Sequence, residues 1–252
     1  MHFTDSYATA QHFNLEREEQ SDEGWLACLG TEVFQTLQDE STHWLHPEEA
    51  EYYHSVLAEK RRKSFLIGRV CAKIAYQAAS KSQNAALINI RTGIFKDPVL
   101  QNLTSIQWQV GITHSNNMAG ALIFPATHPM ALDIEEMDPK RVSVMKTQCK
   151  TKELHYLQEL GLSDKISSAV CWTAKEALSK ALKTGMTCPF ELMEINSIHH
   201  HKDGGLSGLF SNFHQYQFRS WIIENHVLSI ALPKRTRLIF RDDGPNLPKL
   251  TS

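Results

Sequence analysis

Apolar positions along this chain follow two periods, one helical and one of two residues, and the two alternate in blocks. In "HPEEAEYYHSVLAEKRRKSFLIGRVCAKIAYQAASK", Leu66, Val70 and Ile74, with Ile67 and Cys71, form a stripe at helical spacing. The segment predicts two helices, the first opening on Pro47 with Glu48 and Glu49 in its first turn. "ALINI" reads as a strand, "RTGIFKDPVL" as a turn-bearing connection, and "IQWQVGIT" and "MAGALIF" as strands flanking the tight loop "HSNN". A second round follows. "MALDIE" is a strand, "DPKRVSVMK" and "KTKELHYLQEL" are helical, and "SDKISSAVCWTAKEALSKALK" is a long helix ending near Gly185. "ELMEINSIHH", "GGLSGLF", "YQFRSWII" and "HVLSIAL" then read as an antiparallel meander. The first twenty or so residues read as polar and loose, and the tail after Pro233 as irregular. With Pro125 to Pro129 as a joint, the expected architecture is α+β, with similar units at 1–128 and 129–252. Element order alone carries that duplication, because no sequence repeat accompanies it.

Composition narrows the classes without choosing one. Apolar content of 42%, charged content of 21% and a net charge of −2 describe an ordinary globular chain. Nothing global argues for a nucleic-acid or anionic-membrane partner, and no apolar run is long enough to span a bilayer. The start, "MHFTDSYATAQHF", lacks the basic and apolar regions of a signal peptide. Five scattered cysteines without a C-x-x-C pair fit reduced thiols, so the expected location is the cytoplasm.

The chemistry concentrates in "ALDIEEMD" and "WTAKEALSK", where acids and lysines sit among apolar residues. On a strand Asp133 and Glu135 share a face, while Leu132, Ile134 and Glu136 take the other. On a helix Trp172, Glu176 and Lys180 share a line, with Lys175 and Ser179 beside it. Three carboxylates, Asp133, Glu135 and Glu176, make the oxygen-rich shell that Mg²⁺ prefers. Lysines beside such a metal suit a phosphate-bearing ligand. Each motif alone is more often a solvated strand face or a helical ion pair. Two further pieces strengthen the combination. "GITHSNN" offers the hydroxyl of Thr113 and the imidazole of His114 at a strand end. "EKRRKSFLIGRVCAK" sets Lys60, Arg61, Arg62, Lys63, Arg69 and Lys73 against a single acid, although a solvated helix face is the plainer reading of any one of them. Consecutive His199, His200 and His201 point alternately on a strand and read as part of a hairpin rather than a metal site.

A basic segment, a Thr-His-Ser loop, a Leu-Asp-Ile-Glu strand and a Trp-x-x-Lys-Glu-Ala-x-x-Lys helix, in that order, resemble the 4′-phosphopantetheinyl transferases. The likeness runs from about Glu48 to Phe190 and is to the surfactin-type branch, whose members are monomers built of two α+β halves related by pseudo-twofold symmetry. The resemblance implies transfer of phosphopantetheine from coenzyme A to a serine of an apo acyl, peptidyl or aryl carrier protein, with release of 3′,5′-ADP. It implies Mg²⁺ on Asp133, Glu135 and Glu176, and phosphate contacts from Lys175 and Lys180. Thr113, His114, Lys60 and Lys63 would hold the 3′-phosphate end. Glu176, Lys180 and His114 are the expected catalytic residues, with Glu176, or a metal-bound water that it positions, as the base for a serine that is a poor nucleophile at neutral pH. Gly111-Ile112-Thr113-His114-Ser115 and Ala131-Leu132-Asp133-Ile134-Glu135 are mild departures from the family pattern. Lys96-Asp97-Pro98, in place of Gly-Lys-Pro, sets a carboxylate near an anionic ligand. Two other readings fit the same residues: a non-catalytic coenzyme A or carrier-protein binding domain, and a metal-dependent phosphodiesterase or nuclease. The latter usually carries its Glu-x-Lys on a strand, whereas Lys175 and Glu176 lie on a helix.

Overall fold

The structure is a computed structural model that describes residues 10–101, 106–201, 204–241 and 244–248. Two five-stranded antiparallel sheets pack face to face, and one long helix covers the outer face of each. The strands are β1 (Gln11–Arg17), β2 (Gln20–Gly30), β3 (Ile90–Thr92), β4 (Pro98–Leu100), β5 (Trp108–His114) and β6 (Met118–Pro125), then β7 (Ala131–Glu136), β8 (Ile195–His200), β9 (Leu206–Phe210), β10 (Tyr216–Ile223), β11 (His226–Pro233) and β12 (Arg237–Phe240). The α-helices, in chain order, are α1 (Phe34–Asp39), α2 (Ser41–Trp44), α3 (Pro47–Ser55), α4 (Glu59–Ser80), α5 (Pro139–Thr147), α6 (Thr151–Glu159) and α7 (Asp164–Ala181). The first sheet runs β12-β1-β2-β6-β5, the second β7-β11-β10-β9-β8, and β3 pairs with β4 alone.

The sequence pattern explains the layering. In β6 every residue is buried, because its two faces enter different cores. Ala119, Ala121 and Ile123 pack beneath α4, whereas Met118, Leu122 and Phe124 face the second sheet. β11 does the same: Val227 and Ala231 lie beneath α7, and Leu228, Ile230 and Leu232 return the contact of β6. A strand apolar on both faces is the signature of a sheet covered on both sides. In β7, Leu132 and Ile134 enter the layer between the sheets. That places Asp133 and Glu135 on the face toward α7, as alternation requires.

The halves repeat one unit at the level of individual atoms. α3 opens with a capping box in which Glu49 accepts from the backbone N–H of His46 at 3.0 Å. The same carboxylate accepts from Ile90 N at the start of β3 (3.2 Å) and meets the fully buried Lys73 Nζ of α4 at 2.5 Å. α6 repeats this: Glu153 accepts from Lys150 N at 2.6 Å, from Ile195 N at the start of β8 at 2.7 Å, and from Lys175 Nζ of α7 at 2.7 Å. Each half thus runs strand, capped helix, long helix, hairpin, hairpin, and the α+β expectation holds.

Three local expectations change. The segment expected to be loose contains β1 and β2 from Gln11 onward, with Phe13 and Leu15 fully buried between the sheets; residues 1–9 lie outside the described residues. The tail expected to be irregular contains β12, which pairs with β1 so that Leu238 faces Leu15. The chain therefore closes on its first sheet, and the division at 128/129 leaves one strand of that sheet in the second part. "ALINI" begins inside a 3-10 turn, Ala85–Leu87, capped by Asn84, and only its Ile90 joins a strand. The described residues contain no helix long and apolar enough to cross a membrane.

Candidate active site

β5 ends the first sheet and β7 ends the second. The two strands approach closely at Gly111, where a Cβ would sit 3.2 Å from Leu132 Cδ2. Across this seam the buried Thr113 meets the buried Asp133. Thr113 Oγ1 donates to Asp133 Oδ1 at 2.9 Å and accepts from Ile134 N at 3.3 Å. Lys180, at the end of the line shared with Trp172 and Glu176, reaches over from the last turn of α7. Its Nζ donates to Asp133 Oδ1 at 2.6 Å and to Thr113 Oγ1 at 3.1 Å. One carboxylate oxygen therefore joins a strand from each half to the helix, while Asp133 Oδ2 is buried without a hydrogen-bond partner.

Burial and mutual repulsion set the charge states here. Glu176 is pushed above the usual carboxylate value by burial and then by the charge of Asp133, with Lys180 opposing. Glu135 is raised by burial and by Asp133, against the guanidinium of Arg141, which holds both its oxygens, Nη2 to Oε1 at 2.8 Å and Nη1 to Oε2. His114 is held below the usual imidazole value, first by desolvation and then by the ammonium of Lys180, with Asp133 opposing.

Beside this junction lies a cavity of about 460 Å³, lined by Lys60 and Lys63 of α4, His114 and Ser115 of the loop after β5, and Glu135 with Arg141. Its size suits a small-molecule ligand. Lys63 Nζ also lies 5.7 Å over the ring of Phe34, which orders the side chain near the cavity. A second cavity of about 240 Å³ lies on the other side of Lys180, between Gly111, Leu132 and the tip of the β3–β4 hairpin. There Asp97 is paired with Lys183 at 2.7 Å, so the carboxylate of the Lys96-Asp97-Pro98 turn is neutralised within the protein.

The structure brings together Thr113, Asp133 and Lys180, and separately lines one cavity with Lys60, Lys63, His114 and Glu135. It does not bring Lys175 to either place. Lys175 is fully buried on the opposite flank of α7, where its Nζ donates to Glu153 and, at 2.9 Å, to Gln148 O. Adjacent helical residues diverge by about 100°, so Lys175 cannot share the direction of Glu176. Its expected role as a phosphate contact is corrected to that of a structural ion pair. Arg141 is not marked by any motif in the sequence, although the run "DPKR" puts a cation in the first turn of the helix that follows the acidic strand. Among the described residues, no group of three or more His, Cys, Asp or Glu side chains is gathered as a metal cluster.

A sequence model described as the 4′-phosphopantetheinyl transferase superfamily matches residues 129–231, the part of the chain that carries Asp133, Glu135, Glu176 and Lys180. Among solved structures, the holo-(acyl-carrier-protein) synthase from Bacillus anthracis str. Ames, in complex with CoA (3′,5′-ADP), is similar with a TM-score of 0.37. That similarity is 19% in sequence identity and covers 46% of this chain and 96% of the other. No curated protein sequence matches the chain.

Proposed function

We propose that this protein, acting as a monomer, transfers 4′-phosphopantetheine from coenzyme A to a serine of an apo acyl, peptidyl or aryl carrier protein, with Mg²⁺ in the seam. The observation that carries this reading is the meeting of Lys180, Asp133 and Thr113 across the seam, beside a cavity lined by two lysines. The family match to residues 129–231 supports it.

Two features of the acids support a divalent cation, which would share Glu135 with Arg141. Asp133 Oδ2 is buried and unpartnered, and Asp133 raises both Glu135 and Glu176. A cation among them relieves that repulsion. Asp133, Glu135 and Glu176 would hold it, and when bound it would offset the charge of the coenzyme A diphosphate. The remaining roles belong to the chain. Lys60, Lys63 and His114 hold the 3′-phosphate end of the nucleotide. Thr113 fixes the orientation of Asp133, and Lys180 offsets charge on the diphosphate as it is transferred. The bond from the serine Oγ to phosphorus forms, the phosphorus–oxygen bond to 3′,5′-ADP breaks, and Glu176 takes the hydroxyl proton.

Intact-mass spectrometry of several purified apo carrier proteins, incubated with the enzyme, coenzyme A and Mg²⁺, tests the reading. One carrier or more should gain the mass of a single phosphopantetheine. No gain on any carrier overturns the proposal, and tight coenzyme A binding without a gain would favour a non-catalytic binding domain.

A further inference from the structure

The loop that presents His114 and Ser115 to the cavity is short, and its own hydrogen bonding is thin. Ser115 N donates to Met118 O at 2.7 Å, closing the turn between β5 and β6. Beyond the strand pairing of His114 with Ala119 and of Met118 with Gly30, Asn117 carries further hydrogen bonds of the loop. Thr31 N, just after β2, donates to Asn117 O at 2.8 Å. Asn117 Nδ2 donates to Glu136 Oε1 of β7 at 3.3 Å, which leaves Asn117 Oδ1 as an acceptor. Ser115 Oγ donates to that oxygen at 3.4 Å. The shortest bond to it comes from the other half: His226 Nε2, on β11, lies 2.8 Å away. An oxygen there requires the imidazole to carry its proton on Nε2.

His226 is 2% exposed and stands opposite Glu136 in the register of β11 on β7. It lines neither cavity and takes no part in the hydrogen bonds of the Thr113–Asp133–Lys180 junction. Its polar reach is spent on a loop of the first half, and a buried imidazole so directed is expensive unless the bond is made. We propose that His226 is a positioning residue, which locks the loop bearing His114 and Ser115 against the second half through Asn117. In this way the phosphate-binding face of the first half is set from the second, so ligand binding depends on how the halves are seated. The functional consequence rests on the coenzyme A reading above; the positioning itself does not.

The test pairs a readout that ignores ligand with one that requires it. Backbone hydrogen exchange of the ligand-free protein should show faster exchange at residues 114–118 in His226→Ala, with the strands of both sheets unchanged. His226→Gln, whose amide nitrogen can occupy the Nε2 position, should restore the slow rate. In the transfer assay, His226→Ala should raise KM for coenzyme A about tenfold and leave kcat within about twofold, as expected when one ordering hydrogen bond is removed. His226→Gln should recover most of that loss. Asn117→Ala, which also loses the bonds to Glu136 and Ser115, should be at least as severe as His226→Ala, and the double variant should be no worse than Asn117→Ala alone. Unchanged exchange at residues 114–118 in His226→Ala overturns the positioning role. A fall in kcat without a change in KM, or additive effects in the double variant, overturns the link to ligand binding. If the wild-type protein transfers nothing, the functional reading fails while the exchange experiment still decides the positioning.

Discussion

Replacing Lys175 by Met should separate stability from chemistry within one helix. The ammonium lies 2.7 Å from Glu153 Oε2, and neither side chain is exposed. Without it, Glu153 keeps two backbone donors, Lys150 N and Ile195 N, but no counter-charge. Removing one partner of a buried pair costs about 3–5 kcal/mol, which for a chain of this size lowers Tm by about 6–20 °C. A built-in comparison exists in the first half. Lys73→Met removes the equivalent ammonium from Glu49, yet Arg69 Nε remains 3.2 Å from that carboxylate, so the loss should be smaller. The double variant Lys175→Met, Glu153→Gln should recover part of the stability, because it leaves no buried charge unpaired. Thermal unfolding by circular dichroism gives the midpoints, and transfer measured well below the lowest of them gives the chemistry. Folded Lys175→Met should turn over within about threefold of wild type, since nothing it touches reaches the seam. A wild-type midpoint in Lys175→Met would refute the assignment of the ion pair. Abolished transfer in the folded variant would return Lys175 to the phosphate site.

Glu176→Gln and Asp133→Ala should each lower kcat by about 10²-fold or more with an unchanged circular-dichroism spectrum; near-normal turnover in either sinks the acid assignment. Lys63→Ala should raise KM for coenzyme A by about tenfold or more while barely moving kcat, as the loss of a charge-assisted phosphate contact requires; an effect on kcat alone would place Lys63 elsewhere. Burial holds His128 below its ordinary imidazole value of 6.5 even though Asp22 lies 2.8 Å away. The unfolded chain therefore binds the proton first. Stability is complete above the unfolded value and declines as pH falls through the folded one. Urea unfolding across that range should show this slope, with His128→Gln flattening it; an equal slope in both proteins would assign the decline to His114 and His226, which are lowered in the same sense.

What was legible in the sequence was whatever repeated locally. The stripe of Leu66, Val70 and Ile74, the all-buried "MAGALIF" and the parity of Asp133 and Glu135 each follow from a period the chain states several times over. The expectations that changed depend on partners distant in sequence. β1 offers only Phe13 and Leu15 to a core, too few to mark a strand until β12 and β2 flank it. Lys175 and Glu176 are neighbours in a motif but point in different directions, because a motif records spacing and a helix converts spacing into angle. Arg141 and His226 act through a carboxylate and an amide on other elements, and no pattern along the chain announces such a pairing.

The duplicated framework also locates the site. Both halves keep the buried Glu–Lys pair, Glu49 with Lys73 and Glu153 with Lys175, so that pair maintains the unit. The halves differ in their hairpins. In the second half β9 pairs with β10 and covers its edge, whereas in the first half β3 and β4 pair only with each other and leave β5 at the end of its sheet. That unpaired edge is what β7 approaches at Gly111, and it is where Thr113 meets Asp133. The helices differ to match. α7 turns Glu176 and Lys180 toward the seam, while the positions at the same spacing from Lys73 on α4 are Ile74 and Ala78, which carry no charge. A symmetric pair of units would bury both edges and hold no cleft. Withdrawing one hairpin opens a single edge, and the acids and lysine of the other half fill it.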